Sequence, residues 1–136
     1  MTTFLVDSNV LIDIAVESSQ WFAWSSVALD RAASRGRFVI NPVIYAEVSV
    51  PYSRIEDLEV VLPRSVFHRE NIPYEAAFLA GKAFSDHRRR GGMARSPLPD
   101  FFIGAHAAIA GYTVLTRDAA RYRTYFPKVP LVSPET

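Results

Sequence analysis

Phe4-Leu5-Val6-Asp7-Ser8-Asn9-Val10-Leu11-Ile12-Asp13 sets two periodicities side by side. Thr3 to Val6 is a short, β-rich apolar run that ends abruptly on polar residues, as a buried strand does. From Ser8 onward, Val10, Leu11, Ile14 and Ala15 recur at helical spacing, so a helix follows at once. An acid, Asp7, stands at the junction. The opening unit is therefore strand, acid, helix.

The rest of the chain repeats the alternation. Gln20 to Ser34 reads as a second helix, with Gly36 as its stop. Phe38-Val39-Ile40 is a second short strand. Asn41-Pro42 then opens a helix, since Asn caps well and Pro suits the first helical turn; Pro51 ends it. Arg54 to Leu62 is predicted helical up to Pro63. Pro73 opens a longer helix, with Ala76, Ala77, Leu79, Ala80 and Ala83 on its packed face, which stops in Arg88-Arg89-Arg90-Gly91-Gly92. Residues 91–98 read as a loop. Asp100 to Ala110 is a helix, Thr113 to Thr116 a strand, and Asp118 to Tyr122 a short helix. Val129 to Val132 reads as a last strand near the edge, because prolines flank it. Short strands alternating with longer helices predict an α/β fold, with a mainly parallel central sheet between two helical layers. No linker or repeat divides residues 1–136, so one domain is expected.

Composition narrows the chemistry. With 136 residues and 49% apolar content, the chain can bury a core without staples. It has no cysteine, so disulfides and thiolate metal sites are excluded, and any metal must take oxygen or imidazole. Fifteen basic and 14 acidic residues leave a net charge of +1, so the placement of charge matters more than its total. The apolar start carries two aspartates, lacks a basic leader, and does not read as a signal peptide. No apolar run reaches spanning length. A soluble, cytoplasmic protein is expected.

Ligands of parallel sheets gather at the carboxyl ends of the strands. Asp7 directly follows the first strand, and Asp118 follows the strand that ends at Thr116. Glu47 lies in the helix leaving the second strand. Asp100 begins the helix that feeds the Thr113 strand. Aspartate also caps helices, so Asp7, Asp100 and Asp118, taken singly, read first as caps. Capping does not account for Glu47, whose helical neighbours Val43, Ile44 and Val50 are apolar. Such a carboxylate either tilts to solvent or is held inside with a partner such as a cation. Four clustered carboxylates would repel one another, and a hard divalent ion, Mg²⁺ or Mn²⁺, relieves the repulsion. Such an ion can activate water and stabilise charge on a phosphate. Ser8, Asn9 and Thr116 supply neutral polar groups beside the acids.

In order and spacing, four segments resemble PIN-domain nucleases, and more closely the VapC-type toxins of toxin–antitoxin pairs. They are Phe4-Leu5-Val6-Asp7-Ser8-Asn9, Pro42-Val43-Ile44-Tyr45-Ala46-Glu47, Pro99-Asp100-Phe101-Phe102-Ile103-Gly104-Ala105-His106-Ala107, and Gly111-Tyr112-Thr113-Val114-Leu115-Thr116-Arg117-Asp118. The resemblance covers nearly the whole chain. It implies Mg²⁺- or Mn²⁺-dependent cleavage of RNA phosphodiesters. Asp7, Glu47, Asp100 and Asp118 would be the catalytic metal-binding acids, with Ser8, Asn9 and Thr116 in support. It also implies a homodimer and a cognate antitoxin that blocks the site.

Other features carry weaker expectations. Lys82, His87, Arg88, Arg89, Arg90 and Arg95 form the main basic cluster, read as a track for RNA phosphates. Arg117, Arg121 and Arg123 extend it. A solvated helix end is the plain alternative. Trp21, Phe22 and Trp24 are too crowded to face one core together, so some are expected at a partner surface, with the antitoxin or a second copy. Phe101 and Phe102 read as core, and His106, on its alanine-rich helix, as a packed histidine. A non-catalytic module, binding RNA or protein through the Lys82–Arg95 cluster and these aromatics, is the competing reading. A phosphatase or receiver domain ranks third: Asn9 stands where the phosphatase pattern wants a second aspartate, and no late strand-end lysine fits a receiver.

Overall fold

The computed structural model describes residues 1–17, 20–91 and 98–134. Strand β1 is Thr2–Val6, helix α1 Ser8–Ala15, α2 Phe22–Ala33, β2 Gly36–Ile40, α3 Pro42–Ser49 and α4 Ile55–Val61. They are followed by β3 Phe67–Arg69, α5 Tyr74–Arg89, α6 Leu98–Ala110, β4 Thr113–Leu115, α7 Ala120–Tyr125 and β5 Leu131–Val132. Every pairing is parallel and the strand order is β3-β2-β1-β4-β5.

That order follows from burial. Phe4, Leu5 and Val6 are fully inaccessible, as are Val39, Val114 and Leu115, so consecutive residues of the central strands are covered whichever face they point to. Such strands need helices above and below. The chain first moves outward from β1 to β2 and β3, then returns and moves the other way through β4 and β5. Right-handed crossovers therefore place α1 to α4 on one face and α5 to α7 on the other. The direction reverses between β1 and β4, and this is where a crevice opens at the carboxyl ends of the strands.

Several boundaries differ from the sequence reading, each for a physical reason. Gly36 does not stop a helix. It opens β2 opposite Thr2, where a Cβ would run into the Thr2 carbonyl oxygen. Ser34 caps α2 two residues earlier. Left-handed glycines do follow α5 and α6, at Gly91 (φ 85°) and Gly111 (φ 76°). The strand Phe67–Arg69 was not anticipated; it pairs with β2, at the edge of the sheet described. The last helix begins at Ala120, not Asp118, because the Asp118 backbone N–H donates to Thr116 Oγ1 at 3.1 Å and holds a turn there. Among the described residues, no helix is long and apolar enough to cross a membrane.

Candidate metal centre

Asp7 sits at the carboxyl end of β1, 3% exposed. It occupies the N-cap position of α1 with extended backbone (φ −63°, ψ 146°), yet its side chain makes no capping hydrogen bond. The capping explanation therefore fails for Asp7. Its carboxylate is instead ringed by side chains. Tyr122 OH donates to Oδ2 at 2.8 Å and Thr116 Oγ1 donates to the same oxygen at 2.9 Å. Asn9 Nδ2 lies 3.4 Å from Oδ2, and Ser8 Oγ 3.4 Å from Oδ1.

Each supporting group is itself fixed. The Asn9 side-chain Oδ1 accepts the Arg117 backbone N–H at 3.3 Å, which turns its Nδ2 toward Thr116 Oγ1, 3.2 Å away. Thr116, fully buried, thus accepts from Asn9 and from the Asp118 backbone while donating to Asp7. Ser8 donates to Glu47 Oε1 at 2.7 Å and so ties α3 to the end of β1. Asn41 caps α3 by accepting the Ile44 N–H at 3.0 Å. That cap aims the helix so that Glu47, half-buried, reaches the Asp7 side rather than solvent.

Asp100 stands in the first turn of α6 and takes Arg121 Nη1 on Oδ2 at 3.0 Å. Asp118 is exposed and lies with Asp100, His87, Arg121, Thr124 and Tyr125 around a cleft of about 320 Å³. A larger cleft of about 730 Å³ lies against Tyr45, Glu59, Arg64 and Arg69. There Arg69 holds Glu59 at 2.8 Å and Arg37 reaches Glu70 at 3.7 Å, so both carboxylates have a countercharge from the chain.

The electrostatics set the acids apart. Burial raises the Asp7 carboxyl above its ordinary range against the pull of its hydroxyl donors. Burial raises Glu47, and the charge of Asp7 adds to it. Asp100 is pushed up to about 7, first by burial, then by Asp7, with Glu47 adding and Arg121 opposing. Tyr122 is raised well above 10 by burial and by these three acids, so it stays a donor. Three carboxylates therefore act on one another, and Arg121, on Asp100, is the cation that opposes them. Among the described residues, no three acidic or histidine side chains stand close enough to enclose an ion as they lie here. Ser8 holds Glu47 and Arg121 holds Asp100 instead. The donors are oxygen only, half-buried or buried, and short of positive charge, which suits a hard divalent cation.

The other expected residues fall in varied places. Arg89 and Arg90 reach Asp86 at 3.4 and 3.1 Å, and Arg88 lies over the Phe84 ring. The basic cluster is thus partly matched within α5, though Arg90 also lies over Tyr125 at the rim of the acid cleft. Arg95 lies outside the described residues. Trp21, Phe22 and Trp24 are all half-buried, the two indoles meeting edge to face with centroids 6.5 Å apart. Phe101 is core, while Phe102 is half-buried against it. His106 is fully buried, with Nδ1 3.0 Å from Asn41 Nδ2, a packed histidine whose pKa burial lowers. Sequence reasoning missed Tyr122. Its signal was faint: a tyrosine four residues after Asp118, inside an otherwise polar turn of helix.

Solved structures share the fold that forms this crevice. Over 97% of the chain and 98% of its counterpart, the fold is similar to VapBC2 from Rickettsia felis bound to a DNA fragment from its promoter (TM-score 0.74, 14% identity). It is similar to VapBC-1 from nontypeable Haemophilus influenzae over 99% and 100% (TM-score 0.74, 13% identity). A toxin–antitoxin complex from Klebsiella pneumoniae matches over 96% of each chain (TM-score 0.62, 22% identity). No curated protein matches the sequence. The PIN domain model matches residues 4–127, a span that runs from β1 through α7 and takes in all four acids, and the chain therefore belongs to the PIN domain family.

Proposed function

We propose that the protein is a metal-dependent endoribonuclease, the toxin of a VapBC-type toxin–antitoxin pair. The observation that carries the reading is Asp7, buried with only neutral side-chain donors beside Glu47 and Asp100, at the crevice where the strand order reverses. Membership of the PIN family supports a nuclease, and the likeness to toxin–antitoxin complexes supports an antitoxin partner. Asp7, Glu47, Asp100 and Asp118 would hold Mg²⁺ or Mn²⁺, and an ion bound there would supply activation of a water and stabilisation of charge on the phosphate. Thr116, Asn9 and Ser8 keep Asp7 and Glu47 in place. Arg90 and Arg88 at the end of α5, with Arg89 and Arg95, offer positive charge to RNA phosphates. The exposed sides of Trp21, Phe22 and Trp24 are offered to the antitoxin or to a second copy in a cytoplasmic homodimer.

The test is RNA cleavage by the purified protein with Mg²⁺ or Mn²⁺, with EDTA, and after Asp7→Asn. Cleavage is expected only with the ion and the intact aspartate, with a loss of at least about 1000-fold in the variant, equivalent to about 4 kcal/mol of barrier. Cleavage that persists in EDTA overturns the reading. Charge-dependent RNA binding without turnover would instead favour the non-catalytic module.

A further inference from the structure

Tyr122 is 1% exposed, yet it carries a hydroxyl into the core. A buried tyrosine hydroxyl requires a partner, and here the partner is a carboxylate from the far end of the chain. Phenylalanine would fill nearly the same volume without that requirement. The hydroxyl makes the two oxygens of Asp7 unequal. Oδ2 takes Tyr122 OH at 2.8 Å and Thr116 Oγ1 at 2.9 Å, with Asn9 Nδ2 at 3.4 Å. Oδ1 has Ser8 Oγ at 3.4 Å, and the single proton of that hydroxyl goes to Glu47 at 2.7 Å. The short hydroxyl contacts are thus gathered on Oδ2, and Oδ1 has only the long contact to Ser8 Oγ among the side-chain hydrogen bonds described.

We propose that Tyr122 is a positioning residue whose hydroxyl, with that of Thr116, fixes Asp7 Oδ2 so that Asp7 binds a divalent cation through Oδ1. The inference rests on the metal-nuclease reading above. A carboxylate free to rotate presents either oxygen, or both, and loses orientational freedom when an ion binds. One held by two short hydroxyl contacts has lost that freedom beforehand. Removing a group that orients a metal ligand typically weakens the ion by about 10- to 100-fold. A purely space-filling Tyr122 predicts no such change.

The experiment is calorimetric titration of Mn²⁺ into the wild-type protein, Tyr122→Phe and Tyr112→Phe. Tyr112 is the control: its hydroxyl serves Glu70, at 2.7 and 2.8 Å. Tyr122→Phe is expected to bind Mn²⁺ about 10- to 100-fold more weakly, and Tyr112→Phe to match the wild type. Wild-type affinity in Tyr122→Phe overturns this inference alone. A wild-type protein that binds no Mn²⁺ overturns it together with the nuclease reading. Should Tyr122→Phe fail to fold, Thr116→Val removes the other hydroxyl from Oδ2, and unchanged Mn²⁺ affinity there overturns the inference equally.

Discussion

Two aspartates six positions apart are buried in opposite ways. Asp13, 2% exposed, accepts Arg117 Nε and Ser25 Oγ, both at 2.8 Å. The Arg117 guanidinium lies 5.8 Å from the Trp21 ring centroid, so the pair is roofed by an aromatic. Asp7, 3% exposed, takes only neutral hydroxyl and amide donors among its side-chain hydrogen bonds, and its charged neighbours Glu47 and Asp100 are acids. Both carboxylates lost water on folding. One was given its countercharge by the chain, and the other was not. A charge matched internally belongs to the architecture; a charge left unmatched beside others of its own sign is relieved by a proton or by an added cation.

Asp13→Ala tests the architectural half of that contrast and carries the largest expected effect on stability. It leaves Arg117 without its carboxylate in a half-buried setting, at a cost of about 3 kcal/mol in urea unfolding. A loss below about 1 kcal/mol, the value of an ordinary surface pair, would erase the distinction. Metal tests the other half. Mg²⁺ at 100 times its dissociation constant should stabilise the wild type by about 2.7 kcal/mol, and Asp7→Asn should gain little. An equal gain in the variant would locate the ion elsewhere.

The smallest effect is in pH. Asp7, Glu47 and Asp100 all have raised folded pKa values, Asp100 at about 7, so the folded state holds protons that the unfolded chain has already released. The groups acting on Asp100 are Asp7 and Glu47, which raise it, and Arg121, which lowers it; Tyr122 stays protonated. Metal-free stability must then fall as pH rises from the ordinary carboxylate range through about 7, the reverse of an aspartate whose folded pKa is depressed. Thermal unfolding in EDTA should show a midpoint several degrees lower at pH 7.5 than at pH 5, roughly 2 to 8 °C for each kcal/mol. A flat profile would mean that the acids do not share a field.

The contrast also marks what a sequence can reveal. β1, β2 and β4 were legible because their apolar runs are continuous, as strands buried on both faces must be. β3 was not. It has three residues, only Phe67 of them buried, and it borrows its shape from β2. Gly36 was misread because a stop and a close backbone approach both call for glycine, and only the register against Thr2 tells them apart. The four acids stood out through their order along the chain, and strand ends alone located Asp7 and Asp118. What brings Glu47 in is a serine hydroxyl 39 residues away. The Asp13–Arg117 pair spans 104 positions and the Tyr122–Asp7 bond 115. No local pattern records such partners.

Those long spans bear on how the molecule is made. The central strand β1 precedes the other four in the chain, and its neighbour β4 follows more than a hundred residues later; Thr116 and Asp7 are separated by 109 positions. Pairing of this kind waits on loop closure over almost the whole chain, which slows folding and leaves a strand edge open in the meantime. The hydroxyls that orient Asp7 arrive with that last segment. A growing or C-terminally shortened chain therefore carries the apolar surface of the early strands while Asp7 still lacks the hydroxyls of Thr116 and Tyr122, which reach it in one late step rather than by degrees.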